Sequence, residues 1–204
     1  MKTYTIIAGI NGVGKSSLTG ALKSERRDLG SIIDVDMIAV NNKIDNLSAG
    51  KIAINKIDDF LEKGMSFTQE TTLSGHFVEK IIRKAKELNY SVRLYYIGLN
   101  TMDESLLRIR NRVLKGGHDI AAADVKRRYE NRFESFVKVL PYCDEVKIFE
   151  NDNGFINVAD FVNGELIYKS NVHPNWLTDL QNHIEVSLNK KGAATVTKNS
   201  VIKS

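Results

Sequence analysis

The sequence predicts an α/β fold, a mostly parallel sheet flanked by helices, on three observations. Short apolar runs alternate with segments of helical periodicity along the chain, the pattern of strand–helix–strand units. The first apolar run, Thr3 to Ala8, passes directly into a glycine-rich stretch, GINGVGKSS, and then into a helical pattern. The length of 204 residues, 42% of them hydrophobic, suits one α/β domain with appendages and is short for two full domains.

Thr3 to Ala8 is the first strand, and a helix starts at about Lys15 with Leu18, Ala21 and Leu22 on one face. SIIDVD (31–36) reads as a short second strand ending in acids. KIAINKIDDFLEKG (51–64) sets Ala53, Ile57, Phe60 and Leu61 at helical spacing and closes at Gly64, the residue that best accepts a left-handed cap. MSFTQETT (65–72) alternates and is rich in threonine, so it reads as the third strand. SGHFVEKIIRKAKELNY (74–90) is a helix with Phe77, Ile81, Ile82, Ala85 and Leu88 inward and Ser74 as its cap.

SVRLYYIGL (91–99) is the strongest strand, and a helix over 103–115 turns Leu106, Ile109 and Val113 inward. After Gly116-Gly117 the pattern continues as one long helix with the stripe Val125, Tyr129, Phe133, Phe136 and Leu140. DEVKIFEN (144–151) is the last core strand. GFINVADFVNGELIYKS (154–170) is a hairpin turning at Asn163-Gly164. HPNWLTDLQNHIEVSL (173–188) is a terminal helix, followed by a polar tail expected to fray. The expected organisation is a main domain over 1–170, with a helical lid at about 103–140, and a C-terminal helix and tail over 171–204.

The net charge of +4 is mildly basic, and the basic residues are spread rather than blocked. That suits an enzyme for anionic substrates and gives little reason to expect nucleic acid as a partner. Cys143 is the only cysteine, so no intramolecular disulfide forms and a reducing compartment is expected. The N-terminal MKTYTIIAGING lacks the apolar length of a signal sequence, and no stretch approaches the ~20 apolar residues of a membrane span. A cytoplasmic protein without membrane attachment is expected.

Gly9-Ile10-Asn11-Gly12-Val13-Gly14-Lys15-Ser16 satisfies G-x-x-x-x-G-K-[ST] at every fixed position, between a strand and a helix. Glycines let the backbone approach phosphate closely, and successive N–H groups then form an anion nest at a helix N-terminus. The motif is a P-loop, which makes the fold class a P-loop NTPase. Its expected nucleotide contacts are Gly9, Asn11, Gly12, Val13, Gly14, Lys15, Ser16 and Ser17. Lys15 reaches the β- and γ-phosphates of ATP and the Ser16 hydroxyl ligates Mg²⁺.

A P-loop alone does not set the reaction. No run of four aliphatic residues ends in Asp-Glu, as expected of motor or transporter ATPases. LSGH (73–76) matches only three letters of the transporter signature, and Asn55-Lys56-Ile57-Asp58 sits too early, inside a helical pattern, to set GTP specificity.

Acids and arginines narrow the choice. Asp34 and Asp36 lie two apart, so an extended chain would turn both to one side at the ligand-gathering edge of the sheet. A carboxylate there can take the proton of an attacking hydroxyl; equally, Asp36 before MIAV could cap a helix. Glu70, in QETT, ends the third strand and could hold a substrate hydroxyl or a water near Mg²⁺, or be a solvated strand end or another cap. Arg108, Arg110, Arg112, Arg127, Arg128 and Arg132 follow the fourth strand, and an arginine over the γ-phosphate stabilises charge in transfer. The glycine pair is a plausible hinge for a closing lid.

GINGVGKSS, DVDMIA, GMSFTQETTLSG, RVLKGGHDI and DVKRRY occur in an order that resembles the zeta-toxin-like P-loop kinases, specifically their compact branch described as predicted ATPases. The resemblance covers about residues 3 to 170. It implies a kinase-like core, ATP–Mg²⁺ as donor and, in characterised members, UDP-N-acetylglucosamine as acceptor. It implies Asp36 as catalytic base, Glu70 with Thr71 and Thr72 on the acceptor side, and lid arginines within the segment holding Arg112, Arg127 and Arg128. A toxin role would imply an antitoxin protein over the ATP cleft. Three departures stand out: Asp34 where the branch has Asn, Ala121-Ala122 where it has Pro-Glu, and Asn131-Arg132 where an arginine is displaced. The reading is an ATP-dependent small-molecule kinase. The alternatives are another small acceptor (a nucleoside, a sugar or an antibiotic) or a slow ATPase acting as a nucleotide-gated binding module.

Overall fold

The computed structural model describes residues 1–117 and 119–201, with side chains to Asn189. Its strands are β1 (Thr3–Ala8), β2 (Ser31–Ile33), β3 (Phe67–Thr71), β4 (Ser91–Ile97), β5 (Glu145–Glu150), β6 (Ile156–Val162) and β7 (Glu165–Tyr168). Its helices are α1 (Lys15–Glu25), α2 (Val35–Asn42), α3 (Asn46–Lys63), α4 (Phe77–Glu87), α5 (Met102–Leu114), α6 (Ala122–Glu130), α7 (Arg132–Val139) and α8 (Asn175–Val201). Among the described residues one sheet forms, in the order β2-β3-β1-β4-β5-β6-β7. The first five strands pair in parallel, and β6 and β7 extend the sheet antiparallel.

β1 is buried along its whole length, as an interior strand covered on both faces must be. Tyr4, Ile6 and Ala8 face a large core with α3, α4, α7 and the start of α8. Ile7 faces a smaller one with Leu18 and Leu22 of α1, Tyr95 and Ile97. The register pairs Ile7 with Glu70, Ala8 with Thr71, and Ile33 with Gln69. The carboxyl ends of β1, β2 and β3 therefore lie side by side, where ligands gather in such sheets.

Several local expectations are corrected. The second strand stops at Ile33 because Asp34 caps α2: its Oδ1 accepts the N–H of Asp36 at 2.9 Å and of Met37 at 3.4 Å. Asp36 is thus in the first turn of a helix, and the shared-face argument for an extended pair does not apply. The 51–64 helix begins earlier, at Asn46, capped by Asp45. Ser74 caps nothing: its hydroxyl pairs with Thr72 Oγ1 at 2.6 Å, and α4 starts at Phe77. Phe77 is 39% exposed, and Val78 takes the buried place. Ala21 is exposed, with Thr19 buried instead, and Val113 is also exposed. The single long helix is two, broken at Asn131, whose side chain donates to the Arg127 carbonyl at 2.8 Å. α8 runs through Val201 where a polar tail is expected; residues 202–204 and His118 lie outside the described residues.

Other expectations hold. Gly64 ends α3 in the left-handed conformation. Asn163 (φ 52°) and Gly164 (φ 94°) make the hairpin turn between β6 and β7; two consecutive positive φ values are what a tight hairpin of matched twist requires. Burial pushes the Cys143 thiol up to about 12, which marks it as an inert structural residue. Among the described residues no helix is long and apolar enough to cross a membrane.

Candidate active site

The loop over 9–14 turns from β1 into α1. Gly14 has φ +96°, and a Cβ there would stand 2.5 Å from Asn151 Nδ2; one on Gly9 would stand 2.5 Å from the Ile97 carbonyl oxygen. Two loop carbonyls are pinned from outside. Ser105 Oγ donates to the Asn11 carbonyl at 2.7 Å, and Asn151 Nδ2 donates to the Val13 carbonyl at 2.8 Å. In a trans peptide the C=O and the following N–H point in opposite directions. Pinning these carbonyls therefore directs the Gly12 and Gly14 N–H groups the other way, and both glycines line the cleft. The result is the anion nest that the motif predicts.

Lys15 curls back over this loop, donating to the Gly9 and Ile10 carbonyls, both at 3.0 Å. Burial pulls its ammonium down to about 8. Glu70, Asp36 and Asp34 pull against that shift, and Arg128 adds to it. The Lys15 ammonium thus has three acids and a second cation as its charged neighbours.

Glu70, buried at the end of β3, takes two hydroxyls: Ser16 Oγ donates to its Oε2 at 2.7 Å and Thr19 Oγ1 to its Oε1 at 2.6 Å. Burial nevertheless raises its carboxyl above the ordinary range. Asp34 is raised as well, by burial first and by Asp36 second. Thr71 Oγ1 accepts the Leu73 N–H at 3.1 Å, holding the turn after β3.

A cleft of about 720 Å³ joins these parts. Asn11, Gly12, Gly14, Lys15, Ser16 and Ser17 line its loop side. Asp34, Asp36, Glu70, Thr71 and Thr72 line the strand ends, and Arg108, Arg112 and Arg128 the side of α5 and α6. Gly9 and Val13 shape the loop from behind. Arg128 Nη1 donates to Asn11 Oδ1 at 2.8 Å, tying α6 to the loop. Arg127 pairs with Asp124 at 2.6 Å and lines an adjoining cavity of about 250 Å³ between the β3–α4 turn and α6–α7, which shares Thr72, Ser74, Val78 and Arg128 with the cleft. Arg110 is exposed, and Arg132 stacks on Tyr129 and Phe133, 3.7 and 4.1 Å from the ring centres.

Reading the sequence missed Thr19, Gln69, Asn46, Ser105 and Asn151. Thr19 carried a signal, lying one helical turn after Lys15 on the buried face of α1. Ser105 and Asn151 reach the loop only through tertiary packing and carried none.

The residues fit a P-loop cation, for which a serine hydroxyl and a nearby carboxylate suffice beside the phosphate oxygens. Ser16 and Glu70 supply that pair. Among the described residues no cluster of three or more His, Cys, Asp or Glu forms a metal site of its own.

Residues 1–160 match the family model described as zeta toxin. The chain belongs to the zeta toxin family. A relative of this zeta toxin family chain is an uncharacterized protein of Haemophilus influenzae, 39% identical over 127 residues, which are 59% of this chain and 88% of that one. Among solved structures, one from the PezAT chromosomal toxin–antitoxin system of Streptococcus pneumoniae superposes with a TM-score of 0.59 at 18% identity, over 93% of this chain and 86% of that one. A chain of the AvrRxo1-ORF1:AvrRxo1-ORF2 complex with ATP superposes with a TM-score of 0.58 at 17% identity, over 83% of this chain and 61% of that one. At these identities the structures establish the shared zeta toxin fold, a mostly parallel sheet flanked by helices around a P-loop.

Proposed function

We propose that the chain transfers the γ-phosphoryl group of ATP to a hydroxyl of a small acceptor, with UDP-N-acetylglucosamine the leading candidate. The observation that carries this reading is the meeting of Lys15, Ser16, Asp36, Glu70 and Arg128 in one cleft. The AvrRxo1 complex with ATP supports the choice of donor, and the family resemblance supports the nucleotide sugar.

In this reading the N–H groups of the loop and Lys15 hold the β- and γ-phosphates. Asp36 accepts the proton of the acceptor hydroxyl as its oxygen bonds to the γ-phosphorus. The bond from that phosphorus to the bridging oxygen breaks, and ADP leaves. Arg128 and Arg112 offset charge on the transferred group; Arg127 serves the rim. Thr71, Thr72 and Glu70 border the acceptor, with Glu70 also orienting Ser16. Mg²⁺ would be held by Ser16 Oγ, with Glu70 beside it, and would neutralise charge between the β- and γ-oxygens. Residues 1–170 then form the kinase domain, with 103–140 as its lid and 171–204 as the appended helix.

Asp34 adds a second acid beside Asp36, yet its Oδ1 is engaged by the α2 amides. That favours keeping a phosphorylated acceptor in the test panel alongside neutral sugars and nucleosides. A cytoplasmic location and an antitoxin partner over the cleft complete the proposal, the latter supported by the toxin–antitoxin system of the PezAT relative. The test incubates protein, ATP and Mg²⁺ with UDP-N-acetylglucosamine and with the panel, and follows each acceptor by mass spectrometry. Gain of one phosphate supports a kinase and names its acceptor. ADP release with every acceptor unchanged overturns it in favour of a slow ATPase.

A further inference from the structure

The phosphate loop is braced from the C-terminal helix. Asn151, the first residue after β5, donates its side-chain amide to the Val13 carbonyl at 2.8 Å. Its own backbone N–H donates to Glu150 Oε1 at 2.8 Å. The other oxygen, Glu150 Oε2, accepts the indole N–H of Trp176 at 2.6 Å. Glu150 and Trp176 are 3% and 1% exposed, so both oxygens of this buried carboxylate are committed.

The ring of Trp176 has no room to drift. A Cβ on Gly98 would lie 2.3 Å from it, so only glycine fits after β4. Leu177, Leu180 and Ile184 seat the same helix in the core. At the loop, Phe155 stands 3.4 Å from where a Cβ on Gly14 would be.

We propose that Trp176 and Glu150 are positioning residues for the phosphate loop, acting through Asn151. Losing the indole N–H frees one oxygen of a buried carboxylate, and an incompletely satisfied buried acid re-seeks partners or a proton. The Asn151 backbone then loses its fixed acceptor. With it goes the side-chain amide that sets the Val13–Gly14 peptide plane and hence the direction of the Gly14 N–H. The inference goes beyond phosphoryl transfer, and its test needs no nucleotide.

Amide exchange is measured on nucleotide-free wild type, W176F, E150Q and N151A. W176F keeps an aromatic six-membered ring and loses the donor together with the five-membered ring that bears it; E150Q keeps the size but replaces one acceptor oxygen with a donor. Exchange over 9–17 is expected to rise by about threefold or more in all three variants, with α4 unchanged. Trp176 is the only tryptophan, so its emission reads the relay from the other end. Even if the two core variants fail to fold, N151A, altered at a half-buried loop position, is expected to shift that emission. Unchanged exchange over 9–17 in folded W176F and E150Q, exchange raised equally everywhere, or unchanged emission in N151A would each overturn the proposal.

Discussion

Ser16 donates its hydroxyl to Glu70 over 2.7 Å, linking the first turn of α1 to the end of β3. A carboxylate held there both aims the hydroxyl and adds negative charge beside it. Replacing it by an amide keeps the shape and removes the charge. E70Q is expected to raise the Mg²⁺ concentration needed for half-maximal rate by about tenfold or more, because the Ser16 hydroxyl loses the carboxylate that orients it. Rate measured against Mg²⁺ concentration checks this, with calorimetric nucleotide affinity at saturating Mg²⁺ as the control.

Asp36 sits in the first turn of α2 and lines the cleft, near enough to Lys15 to act on its charge. In its proposed role as general base it acts only once donor and acceptor are bound. D36N is expected to bind ATP as tightly as wild type and to lose ~10²–10⁴ in transfer. Calorimetry and acceptor phosphorylation measure the two separately. Equal transfer by both proteins removes Asp36 from the mechanism.

Lys15 gives a pH signature. Its folded value is about 8 against an ordinary 10.5. Between those two pH values the unfolded chain holds the extra proton, so the nucleotide-free protein gains stability from this group as pH rises through that window. Below about pH 8 the cost of the buried charge is paid in full. A triphosphate favours the ammonium and draws the proton back, so binding near pH 8 should take up about half a proton. Calorimetry in buffers of different ionisation enthalpy detects it, and K15M abolishes both the uptake and most of the affinity.

Arg128 and Arg127 are neighbours with opposite surroundings. One reaches Asn11 of the phosphate loop, and the other pairs with Asp124 at the surface. R128A is expected to cost ~10³ in turnover, as for an arginine covering a transferred phosphoryl group. R127A should stay within about threefold of wild type, since exposed ion pairs contribute little. Parallel turnover assays decide the assignment.

The loop was legible because its chemistry is written in consecutive residues. The parallel sheet was legible from alternating periodicity, and the Asn163-Gly164 turn from its dihedral demand. What stayed hidden depended on competition between local signals. Asp34 and Asp36 are both good caps at the end of a strand, and only the amides of Asp36 and Met37 settle which one is used. The stripe from Val125 to Leu140 keeps helical phase across Asn131, so periodicity alone misses the break. By contrast, the wheel itself sets Arg128 on the border of the stripe and turns Arg127 away from it, and their contacts follow that placement. Glu150, Asn151 and Trp176 meet only because β5 and α8 pack together, which no local pattern announces.

The strand order gives the two sides of the cleft unequal footing. The loop over 9–14 follows β1, which has a paired neighbour on each side, whereas Asp34 and Asp36 follow β2, a three-residue strand at the sheet's edge with β3 as its one partner among the described residues. Local opening is therefore expected to reach the start of α2 before it reaches the root of the loop.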